Sequence, residues 1–184
     1  TRRQVVHRAA STGPTRLTRS IATVSAGDAY GPVSADSKPL NFPRSYAFEV
    51  RELAEQREIF DTIRRRWVAL TPEEWVRQHM VRYLTEDLEY PPGRTGVEIG
   101  FEWRRETYRA DIVVHAKSGK PLIAVECKAP DVRVNQRAFD QIGHYNQALG
   151  ARFLVVTNGH LHFCVEIVED RPQPFQTIPH NPER

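Results

Sequence analysis

The sequence predicts an α/β fold in which helices flank a mixed β-sheet. Two helix patterns and several strand-like segments support this, in the order helix, three antiparallel strands, second helix and final strand pair. The composition agrees with one folded domain, because 184 residues with 40% hydrophobic side chains are enough to bury a core.

The first helix is predicted over 71–88, TPEEWVRQHMVRYLTEDL. Thr71 is expected at the N-cap and Pro72 at the first helical position, with Glu74 completing a capping box. Apolar residues then recur at helical spacing, and the PPG triplet at 91–93 breaks the chain.

Three strands, a second helix and two further strands are predicted after this break. Their ranges are 97–104, 109–116 and 121–129 for the three strands, 135–149 for the helix, and 152–157 and 160–167 for the last pair. The strongest hairpin signal is the Asn158-Gly159 pair between the last two strands.

The two ends of the chain differ from this central part. Residues 1–40 carry a net charge of +4 (six Lys or Arg against two Asp), whereas the rest carries −1 (twenty against twenty-one). The high pI therefore does not make the folded part a generally basic nucleic-acid binder. We expect a basic, flexible N-terminal tail at 1–39, a folded domain at 40–168 and a proline-rich C-terminal tail at 169–184.

Cysteine use and hydropathy exclude several classes of protein. Cys127 and Cys164 are the two cysteines, and they lie in no CxxC or Cys/His pattern, so neither a disulfide framework nor a zinc site is indicated. No apolar run approaches the length that crosses a bilayer, so no membrane partner is expected. A reducing, cytoplasmic setting is the default expectation.

Two carboxylates and a lysine are predicted at one end of a strand pair. If the turn between the second and third strands centres on Ser118-Gly119, Asp111 lies opposite Glu126, with Cβ atoms about 4.5–5.5 Å apart. Lys128 lies on the same face, and Cys127 points to the core on the other. Charged side chains in so apolar a segment need a partner or a task.

The preceding hairpin is expected to extend this cluster. A turn centred on residues 105–106 would set Gly100 opposite Asp111 and Glu98 opposite Val113. Gly100 would then leave space beside Asp111 for a metal ion or a phosphate, and Glu98 would be an additional ligand.

Such a cluster suits metal-assisted phosphodiester hydrolysis, because carboxylate oxygens hold Mg²⁺ and a lysine stabilises developing phosphate charge. A structural ion-pair network on a solvated sheet face is the alternative. On the second helix, Gln141 and Tyr145 are four residues apart, share one face and are expected to approach the same strand ends.

Together these residues resemble the PD-(D/E)xK nuclease superfamily in its RecB-like branch. More narrowly, the segments LTPEEWVRQHMVRYL, RADIVV, VECKAP, FDQIGHYN and VTNG are similar to the N-terminal nuclease domain of the restriction (R) subunit of type I restriction enzymes. The resemblance runs from about Leu40 to Ile167. It implies a restriction-endonuclease-like αβββαβ core and Mg²⁺-dependent cleavage of DNA, in which Mn²⁺ substitutes for Mg²⁺.

The resemblance also implies roles for individual residues. Asp111 and Glu126 would be metal ligands, Lys128 the catalytic lysine, and Gln141 and Tyr145 accessory residues of the active site. The first helix of such proteins often adds another acidic or histidine group, for which the candidates are Glu74 and, more weakly, His79.

DNA is the implied partner, and other restriction or defence subunits or a second copy of the chain are further candidates. The sequence contains no GxxxxGK[ST] phosphate loop, so an ATP-driven motor is absent from it. Two alternatives stay open: a nucleic-acid-binding or assembly module that keeps the fold without cutting, and an enzyme that acts on RNA or a nucleotide-containing intermediate.

Arginines add modest support for a polyanionic substrate. An early helix is predicted at 52–66, ELAEQREIFDTIRRR, and it ends in an arginine triplet for which a solvated helix end is an equal explanation. Five further arginines are close to the predicted site in the sequence. They are Arg104, Arg105, Arg109, Arg133 and Arg137.

Overall fold

A computed structural model describes residues 20–25, 39–53 and 56–183, with the backbone alone for 20–25. The helices are α1 (Pro72–Arg82) and α2 (Gln136–Leu149). The strands are β1 (Ser20–Ser25), β2 (Ala47–Leu53), β3 (Gln56–Asp61), β4 (Arg66–Ala69), β5 (Thr95–Trp103), β6 (Glu106–His115), β7 (Pro121–Cys127), β8 (Phe153–Thr157), β9 (His162–Val168) and β10 (Arg171–Phe175). Within these described ranges, no helix combines the length and apolar character that crossing a membrane requires.

The strands form two sheets. The first is antiparallel, with the order β1-β2-β3-β4, and the second has the order β10-β9-β8-β7-β6-β5. The second sheet is mixed, because β7 and β8 run parallel while its other neighbours are antiparallel. The series α1, β5–β6–β7, α2 and β8 confirms the predicted αβββαβ core.

Helix α1 begins as predicted but differs at one capping residue. The hydroxyl of Thr71 accepts a hydrogen bond from the backbone N–H of Glu74 (3.1 Å), and Pro72 opens the helix. After Arg82 the chain continues as one π-helical turn, Tyr83–Asp87. The capping-box role of the Glu74 side chain is wrong, because that carboxylate turns inward to form ion pairs with Arg64 and Arg77 instead.

The register predicted for the β6–β7 hairpin is confirmed. Ile112 pairs with Val125 and Val114 with Ile123, as a turn centred on Ser118-Gly119 requires. These four side chains and Cys127 are fully buried in the core beneath α1. Cys127 is therefore a small core residue, as predicted, and burial raises the pKa of its thiol well above the usual range.

The register predicted for the β5–β6 hairpin is wrong by two residues. Trp103 pairs with Glu106, so the turn consists of residues 104 and 105, and Gly100 lies opposite Arg109 rather than Asp111. Both turn residues have positive φ, which arginine seldom adopts. Glycine and asparagine are the residues that usually mark such a turn, and the sequence has neither of them at positions 104 and 105.

The helix predicted at 52–66 is also wrong, since this segment belongs to strands β2, β3 and β4. The apolar side chains of Phe48, Val50 and Ile59 are buried against Trp75 of α1. Burial on one face of a sheet outweighs the helix propensity of this Glu- and Arg-rich stretch.

Both predicted tails contain regular structure. Of residues 1–39, the structure describes 20–25, which pair with β2, and residue 39; the rest of that prediction lies outside the described residues. At the other end, 169–184 is not a tail as predicted. Pro172 and Pro174 lie in the edge strand β10, where a missing N–H is tolerated, and Ile178, beyond this strand, is 5% exposed in the core.

Candidate active site

The candidate site begins where the β6–β7 ladder is interrupted. The last backbone pair is Ile112 with Val125, and the same register places Asp111 level with Glu126 just beyond it. Here the backbone N–H of Cys127 donates to Oδ2 of Asp111 (2.7 Å). A side-chain carboxylate thus satisfies a strand N–H, so Asp111 is fixed at the strand end by a buried hydrogen bond.

Glu126 is the centre of a hydrogen-bonded group that joins β7 to α2. Its Oε1 accepts from Nζ of Lys128 (2.7 Å) and from Nε2 of Gln141 (2.8 Å). Its Oε2 accepts from the hydroxyl of Tyr145 (3.2 Å). Glu126 is 4% exposed. Its hydrogen bonds bring together the strand residues and the two helix residues that the sequence singled out.

The electrostatics of this group fix its protonation states. Burial and the charge of Asp111 raise the pKa of Glu126, against the hydrogen bonds from Lys128 and Tyr145. Burial alone would lower the pKa of Lys128, but the hydrogen bond and charge of Glu126 raise it. Burial and the charge of Glu126 also raise the pKa of Tyr145. Lys128 is therefore an ammonium ion and Tyr145 a neutral donor near neutral pH.

Arg77 of α1 is a site residue that the sequence prediction missed. Its Nη2 donates to Oδ1 of Asp111 (2.9 Å) and to Oε1 of Glu73 (2.9 Å), and its Nη1 donates to Oε2 of Glu74. The side chain is 5% exposed. Helical spacing suggests only the pairs with the two glutamates. The contact with Asp111 depends on how α1 packs on the sheet.

The two additional candidate ligands are paired with arginines. Glu74 accepts from Nη2 of Arg64 (2.5 Å) and from Nε2 of Gln78 (2.8 Å). Glu98 accepts from Nη1 of Arg64 and forms an ion pair with Arg109 (3.2 Å). Arg64 lies in the β3–β4 turn, so the N-terminal sheet contributes directly to the surroundings of the candidate site.

His79, the weakest candidate on α1, lies elsewhere. Its ring packs among Phe48 (4.7 Å between centroids), Trp75 (4.4 Å) and Phe42 (5.4 Å). Burial lowers its pKa to about 4, and Nδ1 donates to the Trp75 carbonyl (2.8 Å). His79 is therefore a neutral core residue, as the chemistry of an aromatic pocket requires.

The pair Asp111 and Glu126 fits a hard divalent cation. Asp111 lies level with Glu126 across the strand pair, so the two carboxylates repel, and the charge of Asp111 contributes to the raised pKa of Glu126. A cation between them relieves that repulsion, and carboxylate oxygens are the ligands that Mg²⁺ and Mn²⁺ prefer. Among the residues described, no group of three or more His, Cys, Asp or Glu side chains is arranged to hold a metal, so the fit rests on this pair.

Comparison with known proteins identifies the family. The family model for the type I restriction enzyme R protein N terminus (HSDR_N) matches residues 72–182, from α1 through β10 and the segment that follows it. No curated protein and no solved structure matches the chain. The matched range covers more than half of the chain and contains every residue of the group around Glu126. The chain therefore belongs to the family of type I restriction enzyme R protein N termini.

Proposed function

We propose that this chain is a metal-dependent DNA endonuclease domain that hydrolyses phosphodiester bonds without an ATPase motor in this sequence. The observation that carries the proposal is the group around Glu126. A buried carboxylate beside a second carboxylate is held by an ammonium, an amide and a phenol in a chain of this family. Lys128 and Gln141 of this group also line a surface cavity, where a purely structural ion-pair network has no need to lie.

Each residue of the group has a definite task in this reaction. Asp111 and Glu126 would hold Mg²⁺ or Mn²⁺, and the ion would supply polarisation of the scissile phosphate and activation of the attacking water. Lys128, an ammonium ion, stabilises negative charge that develops on the phosphate. Gln141 and Tyr145 fix the orientation of Glu126 through their hydrogen bonds.

A cationic cavity next to this group supports a polyanionic substrate. It has a volume of about 400 Å³, and its lining includes Lys128, Gln141, Arg133 and Arg137. No acidic residue is among the described residues that line it, and both arginines are exposed. Phosphates flanking the scissile bond fit this surface, and binding is expected to weaken as salt rises.

A catalytically silent nucleic-acid-binding or assembly module is the second candidate function. It is favoured by the ion pair between Arg77 and Asp111 (2.9 Å), because a guanidinium there neutralises a carboxylate that a metal ion would need. Restriction or defence subunits, or a second copy of this chain, would then be the partners that bring the domain to DNA.

The test is cleavage of plasmid, linear duplex and single-stranded DNA by purified protein with Mg²⁺ or Mn²⁺. We expect wild type to cut, and Asp111→Asn and Lys128→Met each to lose at least about 100-fold in rate, because a directed charge in a desolvated site is removed. Lys120→Met, which alters an exposed lysine at the β6–β7 turn, is the matched control. Intact DNA with the wild-type protein, or full activity in Lys128→Met, contradicts the proposal. Binding in EDTA that Asp111→Asn leaves unchanged then favours the silent module.

A further inference from the structure

The tip of the β5–β6 hairpin carries two arginines in an unfavourable backbone conformation. Arg104 and Arg105 form the two-residue turn, with φ of 51° and 67°. A turn with both central residues in this region favours Asn-Gly, and β-carbons there cost free energy. Both arginines are exposed. The backbone conformation does not favour arginine at these two positions, so the presence of two arginines here points to a role for their side chains.

Arg104 continues a row of aromatic rings, and Arg105 is its neighbour in the turn. The guanidinium of Arg104 lies over the ring of Trp103, with Cζ 4.2 Å from the ring centroid. Trp103 in turn contacts His144 of α2 (5.2 Å between centroids) and Tyr108 of β6 (6.0 Å). Nε2 of His144 is 3.1 Å from the Tyr108 hydroxyl, so the row is tied to both the hairpin and α2.

The row leads directly to the candidate active site. The rings of Phe101 and Tyr108 lie 5.9 Å and 6.4 Å from that of Tyr145, which donates its hydroxyl to Glu126. Trp103 and Tyr108 are half-buried and His144 is exposed, so the outer part of the row is accessible from solvent. A row of aromatic rings, most of them tilted or edge-to-face to their neighbours, therefore begins beside Glu126 and ends at Arg104 on the hairpin tip.

We propose that the accessible part of this row, from Tyr108 through Trp103 to Arg104 and Arg105, binds an unpaired stretch of nucleic acid next to the scissile phosphate. The inference rests on the proposed function and makes its substrate class narrower. Base faces are available for stacking only where a strand is unpaired, and aromatic rings and guanidinium planes are the surfaces on which they stack. The two arginines reach the phosphates of the same strand. Duplex DNA offers the phosphates but not the base faces.

The key variant is Arg104→Asn combined with Arg105→Gly. It replaces both arginines by the residues that this turn prefers, so the protein is expected to fold at least as well as wild type. Binding of a 5′-fluorescein-labelled 12-nucleotide single strand is measured by anisotropy in EDTA, where no cleavage occurs. We expect the dissociation constant to rise at least about tenfold, and the slope of log K against log salt to fall in magnitude by about 1.4.

Two further variants complete the test. Trp103→Leu removes the central stacking surface and is expected to weaken single-strand binding about 5- to 100-fold while changing affinity for a blunt duplex of the same sequence less than threefold. The control combines Lys120→Asn with Arg171→Asn, two exposed residues outside the β5–β6 hairpin, the second of them in β10 at the opposite edge of the sheet. It removes the same charge and is expected to leave single-strand binding within about twofold.

The possible outcomes separate this inference from the proposed function. The inference is overturned if the hairpin variant binds single strands as well as wild type does, or if it loses affinity for single strand and duplex equally. It is also overturned if the wild-type protein binds no oligonucleotide. Cleavage of DNA by the wild-type protein under those circumstances leaves the endonuclease proposal standing. Conversely, selective loss of single-strand binding in a protein that never cuts supports the hairpin surface and contradicts the endonuclease.

Discussion

Replacing Arg77 by Met should destabilise the protein strongly, because its guanidinium neutralises carboxylates that are out of water. Asp111 and Glu74 are 7% and 5% exposed, and both accept hydrogen bonds from Arg77. Met fills similar volume but leaves these charges without that partner. Breaking a buried ion pair by removing one member costs about 3–5 kcal/mol.

The remaining contacts place the expected loss near the lower end of that range. Glu74 keeps its bonds to Arg64 and Gln78, and Asp111 keeps the N–H of Cys127. We therefore expect the free energy of unfolding to fall by about 3 kcal/mol at neutral pH. A protein of ordinary stability, about 5–15 kcal/mol, stays folded after this loss.

Urea denaturation followed by circular dichroism measures the effect, with an unchanged m-value as the sign that the native fold is kept. The control is Arg82→Met on the same helix, whose ion pair with Glu86 (2.6 Å) has both side chains about one-third exposed, at 30% and 32%. Such a pair contributes at most about 1 kcal/mol. A loss in Arg77→Met no larger than in this control would refute the claim that Arg77 is the buried counter-charge of Asp111.

A double variant then isolates the pair itself. Asp111→Asn removes the charge that Arg77 neutralises, so Arg77→Met should cost at least about 1 kcal/mol less in that background. If metal binds Asp111 as proposed, Mn²⁺ should also raise the unfolding midpoint of Arg77→Met by more than that of wild type, since the cation no longer competes with a guanidinium. Additive effects and equal midpoint shifts speak against a shared role for Arg77 and the metal.

Three further predictions test other parts of the fold. Burial lowers the pKa of His79 from 6.5 to about 4, so between these pH values the unfolded state binds a proton that the folded state does not. The free energy of unfolding of the wild type should therefore fall by about 3 kcal/mol as pH falls from 6.5 to 4. Urea titrations over that range should show a correspondingly smaller fall for His79→Leu. Gly143→Ala should stabilise α2 by about 0.5–1 kcal/mol, since a Cβ there meets no atom within 4 Å; a lower thermal midpoint would contradict this. Ile178→Ala should cost about 2–5 kcal/mol, and a neutral effect would mean that the C-terminal segment is a tail after all.

The parts of the fold that the sequence predicts are those that short-range rules determine. Thr71 and Pro72 mark the start of α1, and Gly150, with φ of 71°, marks the end of α2. The β6–β7 register beyond Val114 is the one predicted from a turn centred on Ser118-Gly119 and alternation on either side, although the ladder is irregular between Val114 and His115. Because that register is local, it was enough to bring Asp111 level with Glu126.

The errors arise where a distant contact decides the local structure. Residues 52–66 look helical by composition, but the sheet buries Ile59 against α1. Arg77 carries no signal that distinguishes it from a surface arginine, because its contact with Asp111 spans two elements. The proline-rich end reads as a tail in the sequence, because nothing local shows that Ile178 completes the core.

The position of Asp111 between the two helices has a backbone cause. Residues two apart in a strand normally face the same side, yet Ile112 packs in the α1 core whereas Ala110 packs in the cluster around Ile142 of α2. The partner strand reverses at the same level, where Glu98 has φ of 52°. In both strands, β5 and β6, the side chains therefore change the face to which they point at the level of Asp111. This reversal lets the carboxylate of Asp111 contact Arg77 of α1, while Glu126, which is level with Asp111 on β7, is held by Gln141 and Tyr145 of α2. No glycine marks this reversal. The sequence therefore predicted which residues of β6, β7 and α2 belong to the site, but not the reversal that brings Asp111 into contact with α1.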